Sequence, residues 1–135
     1  MALTPLTVKR DIYADFHKDL LRNPVSDDIA RKINEEAIKE SIRNLLLTDR
    51  GERLFQPEVG SDIRHMLFEN IGADTLVIMR EKVKDTIISH EPRANLISVD
   101  VAGAIDNNSV NIRVTFNVIN SQTPIDLTLT LNRVR

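Results

Sequence analysis

The chain reads as an α+β protein, with N-terminal helices packed on one face of a C-terminal antiparallel β-meander in a two-layer single domain. Three observations predict this. Apolar residues recur with a period of about 3.6 up to His90 and of about 2 from near residue 95 onward. Glu91-Pro92-Arg93 stands at the switch, and proline cannot continue a helix interior, because it lacks the N–H and its ring clashes with the preceding turn. The alternating tail holds three apolar runs separated by two turn signals, so one face of the resulting sheet needs a cover that only the preceding helices can supply.

The elements follow in order. Residues 1–25 read as an N-terminal arm, in which Asp11 to Phe16 alternate loosely as in a short strand, and Asn23-Pro24 punctuates the end. The domain proper spans residues 26–135, with helices over about 26–90 and the meander over about 95–134. Ser26-Asp27-Asp28 predicts a helix start, because Ser26 can cap an orphan N–H and two acids favour the dipole at the first turn. Ile29, Ile33, Ala37 and Ser41 recur every four residues, and Ile38, Ile42, Leu45 and Leu46 carry the stripe on to about Leu47. Asp27 with Arg31 and Glu35 with Lys39 form (i, i+4) pairs on the wet side.

Thr48 to Gly60 predicts a loop, since two glycines and a proline interrupt it. Gly51 and Gly60 are expected at backbone positions with φ > 0. Ser61-Asp62 opens a short second helix with Ile63, Met66 and Leu67 inward, Phe68 anchoring its end and Gly72 closing it. Asp74-Thr75 opens a third, whose inner face is Leu76, Met79, Val83 and Ile87. Phe55 and Phe68 are expected in the core, because a chain with four Phe, one Tyr and no Trp has few aromatics to build one. In the meander, Ile97, Val99 and Val101 form the first inward row. Val110, Ile112, Val114, Phe116 and Val118 form the second, and Ile125, Leu127, Leu129 and Leu131 the third. Asp106-Asn107-Asn108 and Asn120 to Pro124 supply the turns.

Composition excludes several function classes. The net charge of −2, without a basic run, gives no nucleic-acid surface, and the scarcity of aromatics removes base stacking. The absence of cysteine excludes disulfides, thiolate catalysis and Cys-type zinc sites. His17, His65 and His90 lack metal-ligand spacing. No cofactor, small-molecule ligand or metal is expected. No apolar run approaches the ~18 residues of a membrane span, and Met1 to Leu6 lack the pattern of a signal peptide. The chain is expected to act in a cytoplasm or in an assembly built there.

Enzyme chemistry finds little footing. Glu58, Asp62, Glu69 and Glu91 lie near loops and corners, so a two-carboxylate hydrolase acting on peptidoglycan is the alternative reading. It needs a raised carboxyl, a second acid at fixed distance and a cleft, and 20 acids in the chain make a few near loops unremarkable. Ser61 and Ser89 lack a nucleophile elbow, and Gly51 and Gly60 form no phosphate cradle.

A binding role fits better. A short meander leaves edge strands, and Ile125 to Val134 carry no proline and few charges to protect such an edge. An open edge is a template for a strand from a partner, unless the arm at residues 8–16 covers it. At the helix–strand corner Glu91 is an acceptor and Arg93 a fork for carboxylates, held apart by Pro92. They either face a partner or brace the loop of Gly51 and Gly60 from inside. Arg53 is open to either role.

Over residues 11–135 the chain resembles the short baseplate wedge proteins of contractile-tailed bacteriophages, shared with the E subunit of type VI secretion baseplates. The resemblance rests on order and spacing: a capped helix of about twenty residues, then Thr48-x-x-Gly51-Glu52-Arg53, then Pro57-Glu58-x-Gly60. Leu67-Phe68-Glu69-Asn70 follows, then a third helix closed by Glu91-Pro92-Arg93, and the meander. It implies a non-enzymatic structural protein of the virion, in the tail baseplate, assembled in the bacterial host's cytoplasm. It implies two partners, the helical bundle of larger wedge proteins and the tail sheath protein, whose first ring builds on the chain by strand exchange. It assigns attachment to Glu91, Pro92 and Arg93; Arg53 in the loop, and Leu127 and Leu129 on the C-terminal edge strand, are the further protein-binding residues expected from the reading of the residues themselves. The name tail lysozyme, long given to some members, finds no support in these residues. A third reading is a free adaptor that sequesters a partner.

Overall fold

The computed structural model describes residues 10–104 and 109–133, which fall into two compact units that divide between Ala37 and Ile38. In the first unit, β1 (Ala14–Phe16) pairs antiparallel with β2 (Arg31–Ile33), with Asp15 opposite Lys32. The arm's strand is therefore engaged with β2. Between the two strands the chain runs as a ladder: His17 N–H donates to Ala30 O, Ala30 N–H to Leu21 O, and Arg22 bridges to Ile29.

This ladder occupies the residues expected to begin the first helix. Helix α1 spans Asn34–Leu47 and not Ser26 to Leu47. Local hydrogen bonding outcompetes the cap, as Asn and Asp side chains often do. Asn23 Oδ1 accepts from Val25 N–H at 2.9 Å, Asp28 Oδ1 from Ile29 N–H at 2.7 Å, and Asp27 turns to φ +60° and pairs with Arg22. Ile29 and Ile33, read as the start of the apolar stripe, are exposed. Asn34 ends the ladder: at φ +48° its Oδ1 accepts from Ile12 N–H (2.9 Å) and Tyr13 N–H (3.3 Å), while its own N–H donates to Tyr13 O.

The second unit carries the larger core. Ile38, Ile42, Leu45 and Leu46 of α1 are buried, as are Ile63, Met66 and Leu67 at α2 (Ile63–Met66) and Met79, Val83 and Ile87 on α3 (Ala73–His90). Phe55 and Phe68 correct the core expectation, being 96% and 63% exposed. Both lie outside the periodic segments, and the one large aromatic buried in the sheet is Phe116.

The sheet is antiparallel in the order β3-β4-β5, with β3 at Ala94–Ala104, β4 at Ser109–Val118 and β5 at Ile125–Asn132. The alternating rows of β4 and β5 are buried as expected, and Val114 lies opposite Leu127 and Ile112 opposite Leu129. The β3 row changes phase. Leu96 lies opposite Phe116 and Ser98 opposite Thr115, so Ile97 is an extra residue, a bulge that turns it outward at 53% exposure. Helix α3 packs along β3. The Asp106-Asn107-Asn108 turn and Val134 lie outside the described residues; Asn120, in the second turn, takes φ +81°.

Candidate partner-binding site

Helix α3 stops because Pro92 follows it. Glu91 leaves the helix at φ −125°, ψ 77°, the extended bias of a residue before proline, while its N–H still closes the last turn on Ile87 O at 2.9 Å. Arg93 O accepts from Ile119 N–H, tying the corner to the far end of β4. Beside Pro92, an open concavity of about 470 Å³ reaches across Asn95 and Asn117 to Ile119.

Glu91 is buried and Arg93 is 34% exposed. They form a forked pair: Arg93 Nε donates to Glu91 Oε1 at 2.7 Å and Nη2 to Oε2 at 2.8 Å. Ser41 Oγ, from α1, also donates to Oε2 at 2.5 Å. Burial pushes the Glu91 carboxyl upward, but the hydrogen bonds from Arg93 and Ser41 and the Arg93 charge outweigh it and hold the group below its ordinary value. An acid kept ionised cannot be the general acid of a hydrolase, a role that needs a carboxyl raised so that it can donate a proton. The Glu91 carboxylate reaches α1, not the loop that carries Gly51 and Gly60. Ser41 was the residue that sequence reasoning missed in this role. Its signal was a hydroxyl on an otherwise apolar stripe.

Arg53 lies elsewhere, in the exposed loop between α1 and α2. That loop is closed by Ser61 N–H to Thr48 O and by Gly51 N–H to Pro57 O, both 2.8 Å. Gly51 takes φ +84° and Gly60 φ +135°, and a Cβ at Gly60 would lie 2.6 Å from Thr48 O. Leu127 and Leu129 point into the core, so β5 offers backbone at its edge, with Thr128 and Thr130 on the exposed face. Among the described residues its one neighbouring strand is β4. The predicted residues thus fall in three places: the Glu91–Arg93 corner, the Arg53 loop and the β5 edge. Among the described residues no group of three or more His, Asp or Glu side chains is placed to hold a metal, and no helix is long and apolar enough to cross a membrane.

Comparison with known proteins agrees with this architecture. The chain is 26% identical over 115 residues to baseplate wedge protein gp25 of Enterobacteria phage T4, covering 85% of this chain and 86% of that protein. A crystal structure from Geobacter sulfurreducens, provisionally named a tail lysozyme, is 32% identical with a TM-score of 0.68, covering 75% of this chain and 92% of its own. A subunit of the type VI secretion system baseplate complex shares the fold at a TM-score of 0.57 and 15% identity, over 70% of this chain and 90% of that one. The family of baseplate wedge protein gp25 matches residues 33–123, more than half of the sequence. The chain belongs to that family, and is a structural, non-enzymatic baseplate component of a contractile tail or related system.

Proposed function

We propose that the chain docks on the helical bundle of larger wedge proteins through Glu91, Pro92 and Arg93, and that β5 templates the first ring of tail sheath by strand exchange. The observation that carries the docking half is the fork: buried Glu91 fixes an Arg93 that is still one-third exposed, beside exposed Pro92. A guanidinium already oriented loses little freedom on binding, and Pro92 keeps the corner rigid. Glu91 is then a positioning residue and Arg93 the contact. The templating half is supported by β5 standing last in its sheet, with β4 its one neighbouring strand among the described residues. The fold that serves this role is two-layered, with the helices covering the apolar face that β4 and β5 turn inward. Assembly takes place in the host cytoplasm, into the baseplate of a phage or phage-derived particle.

The test is co-expression with the adjacent wedge and sheath proteins, followed by size-exclusion chromatography of wild type, Arg93→Ala and Ser41→Ala. Arg93→Ala should stay folded and lose the wedge proteins, while Ser41→Ala, which leaves the guanidinium in place, should keep them. Normal co-elution of a folded Arg93→Ala chain refutes docking at the corner. For the edge, adjacent residues of an antiparallel strand turn their N–H groups to opposite sides. Of Thr128→Pro and Leu129→Pro, one therefore spares the β4 ladder and removes an outward donor, at Leu129 together with a buried side chain. That variant should fold and fail to start sheath; sheath growth from it refutes strand exchange.

A further inference from the structure

The loop between α1 and α2 displays two neighbouring apolar side chains almost entirely to solvent, Leu54 at 91% and Phe55 at 96% exposure. The loop is not slack. Besides the closures at Ser61 and Gly51, Asp49 N–H donates to Glu52 Oε2 at 3.0 Å, and Val59 N–H to Gln56 O at 3.1 Å. Ordering a loop costs conformational entropy, and neither Leu54 nor Phe55 repays it inside the fold. Adjacent large apolar groups held out in this way mark a contact surface.

The charges around the tip indicate what it meets. Glu52 is turned toward the Asp49 N–H, and Arg50 faces Asp62 at 3.9 Å. Arg53, directly beside Leu54, has no ion pair among the described residues. The tip therefore presents two apolar side chains directly beside a cation that has no ion pair among the described residues. We infer that Leu54 and Phe55 form a knob that inserts into an apolar cleft on a neighbouring baseplate subunit, with Arg53 meeting a carboxylate at the rim of that cleft. Apolar insertion supplies the affinity and the rim charge supplies register, the division of labour usual at interfaces. The inference rests on the assembly role proposed above for the partner's identity, and uses a surface separate from the Glu91–Arg93 corner.

The full chain is co-expressed with the other baseplate proteins of its particle, and the affinity of the purified partners is measured for wild type, Leu54→Ser, Phe55→Ser, Arg53→Glu and Arg93→Ala. Each apolar substitution should weaken binding about ten- to hundredfold, as expected for losing burial of one large side chain. Arg53→Glu should weaken it too, and all three loop variants should melt at the wild-type temperature. Wild-type affinity in both serine variants overturns the knob. A melting temperature lowered by several degrees overturns it as well, because the pair would then be packed within the fold. Sedimentation velocity that finds wild-type self-association, lost in Phe55→Ser, would assign the knob to a second copy and overturn the baseplate partner. Loss of binding in Arg93→Ala alone leaves the corner standing without the knob; loss in the loop variants alone does the reverse. A wild-type chain that binds no baseplate protein overturns both.

Discussion

Glu91→Gln keeps the shape of the side chain and removes its charge. Both carboxylate oxygens accept donors, Oε1 from Arg93 Nε and Oε2 from Arg93 Nη2 and Ser41 Oγ. An amide nitrogen placed at either position faces an Arg93 N–H, donor against donor. Hydrogen bonds to charged groups contribute about 1.5–3 kcal/mol. Arg93 is one-third exposed and can turn to water, so the lower end applies, about 1.5–2 kcal/mol. For a chain of this length that lowers the melting temperature by about 5–7 °C. The pH dependence carries the sharper test. The folded carboxyl lies below its ordinary value, so between the folded and unfolded pKa values the unfolded chain binds more protons, and stability rises with pH. The contribution is complete above the unfolded value of about 4.3 and is lost as pH falls through the folded one. Melts of wild type and variant, followed by circular dichroism from pH 7 to pH 3.5, should show a full gap at neutral pH that narrows only at the acid end. Equal melting at pH 7, or a gap that widens on acidification, would refute the brace.

Two further outcomes follow from backbone geometry and core packing. Gly60→Ala sets a Cβ 2.6 Å from the Thr48 carbonyl oxygen at φ +135°, while Gly51→Ala meets open space at φ +84°. Gly51→Ala should cost about 1 kcal/mol from backbone handedness alone, and Gly60→Ala at least twice that, read as urea midpoints; equal costs would mean the 48–60 loop yields freely. Phe116→Ala, at a side chain with no exposure opposite Leu96 and Ile125, should lose about 3–5 kcal/mol in the same assay. A loss under about 1 kcal/mol would show that the sheet's inner face is not the core.

Much of this was legible in the residues. The period of two in β4 and β5 requires no knowledge of neighbours, because a strand with one buried face alternates wherever it sits. The stop at Pro92 is equally local, since the missing N–H and the ring clash act within one turn. The stripe of α3 and the positive φ of Gly51 and Gly60 were readable for the same reason. The start of α1 was not. Ser26-Asp27-Asp28 is a sound local cap, yet the same side-chain chemistry makes a sound turn. The choice fell to Asn34, whose partners Ile12 and Tyr13 lie more than 20 residues away in the sequence.

The corner divides in the same way. That an acid and a base flank a rigid proline is written in three consecutive letters. That the acid is buried, forked to Arg93 and held by Ser41 of another helix depends on a contact 50 residues apart in sequence. Phe55 and Ile97 were misread for a related reason: apolarity marks a residue that gains from burial, but a closed loop and a one-residue bulge decide which way it points. Sequence by itself determined the periodic elements, the corner and the family, because local backbone chemistry and hydrophobic period act within a few residues. Tertiary structure alone decided the helix start, the bulge, the ionised state of Glu91 and the outward turn of Leu54 and Phe55, because each rests on groups brought together only when the chain is folded.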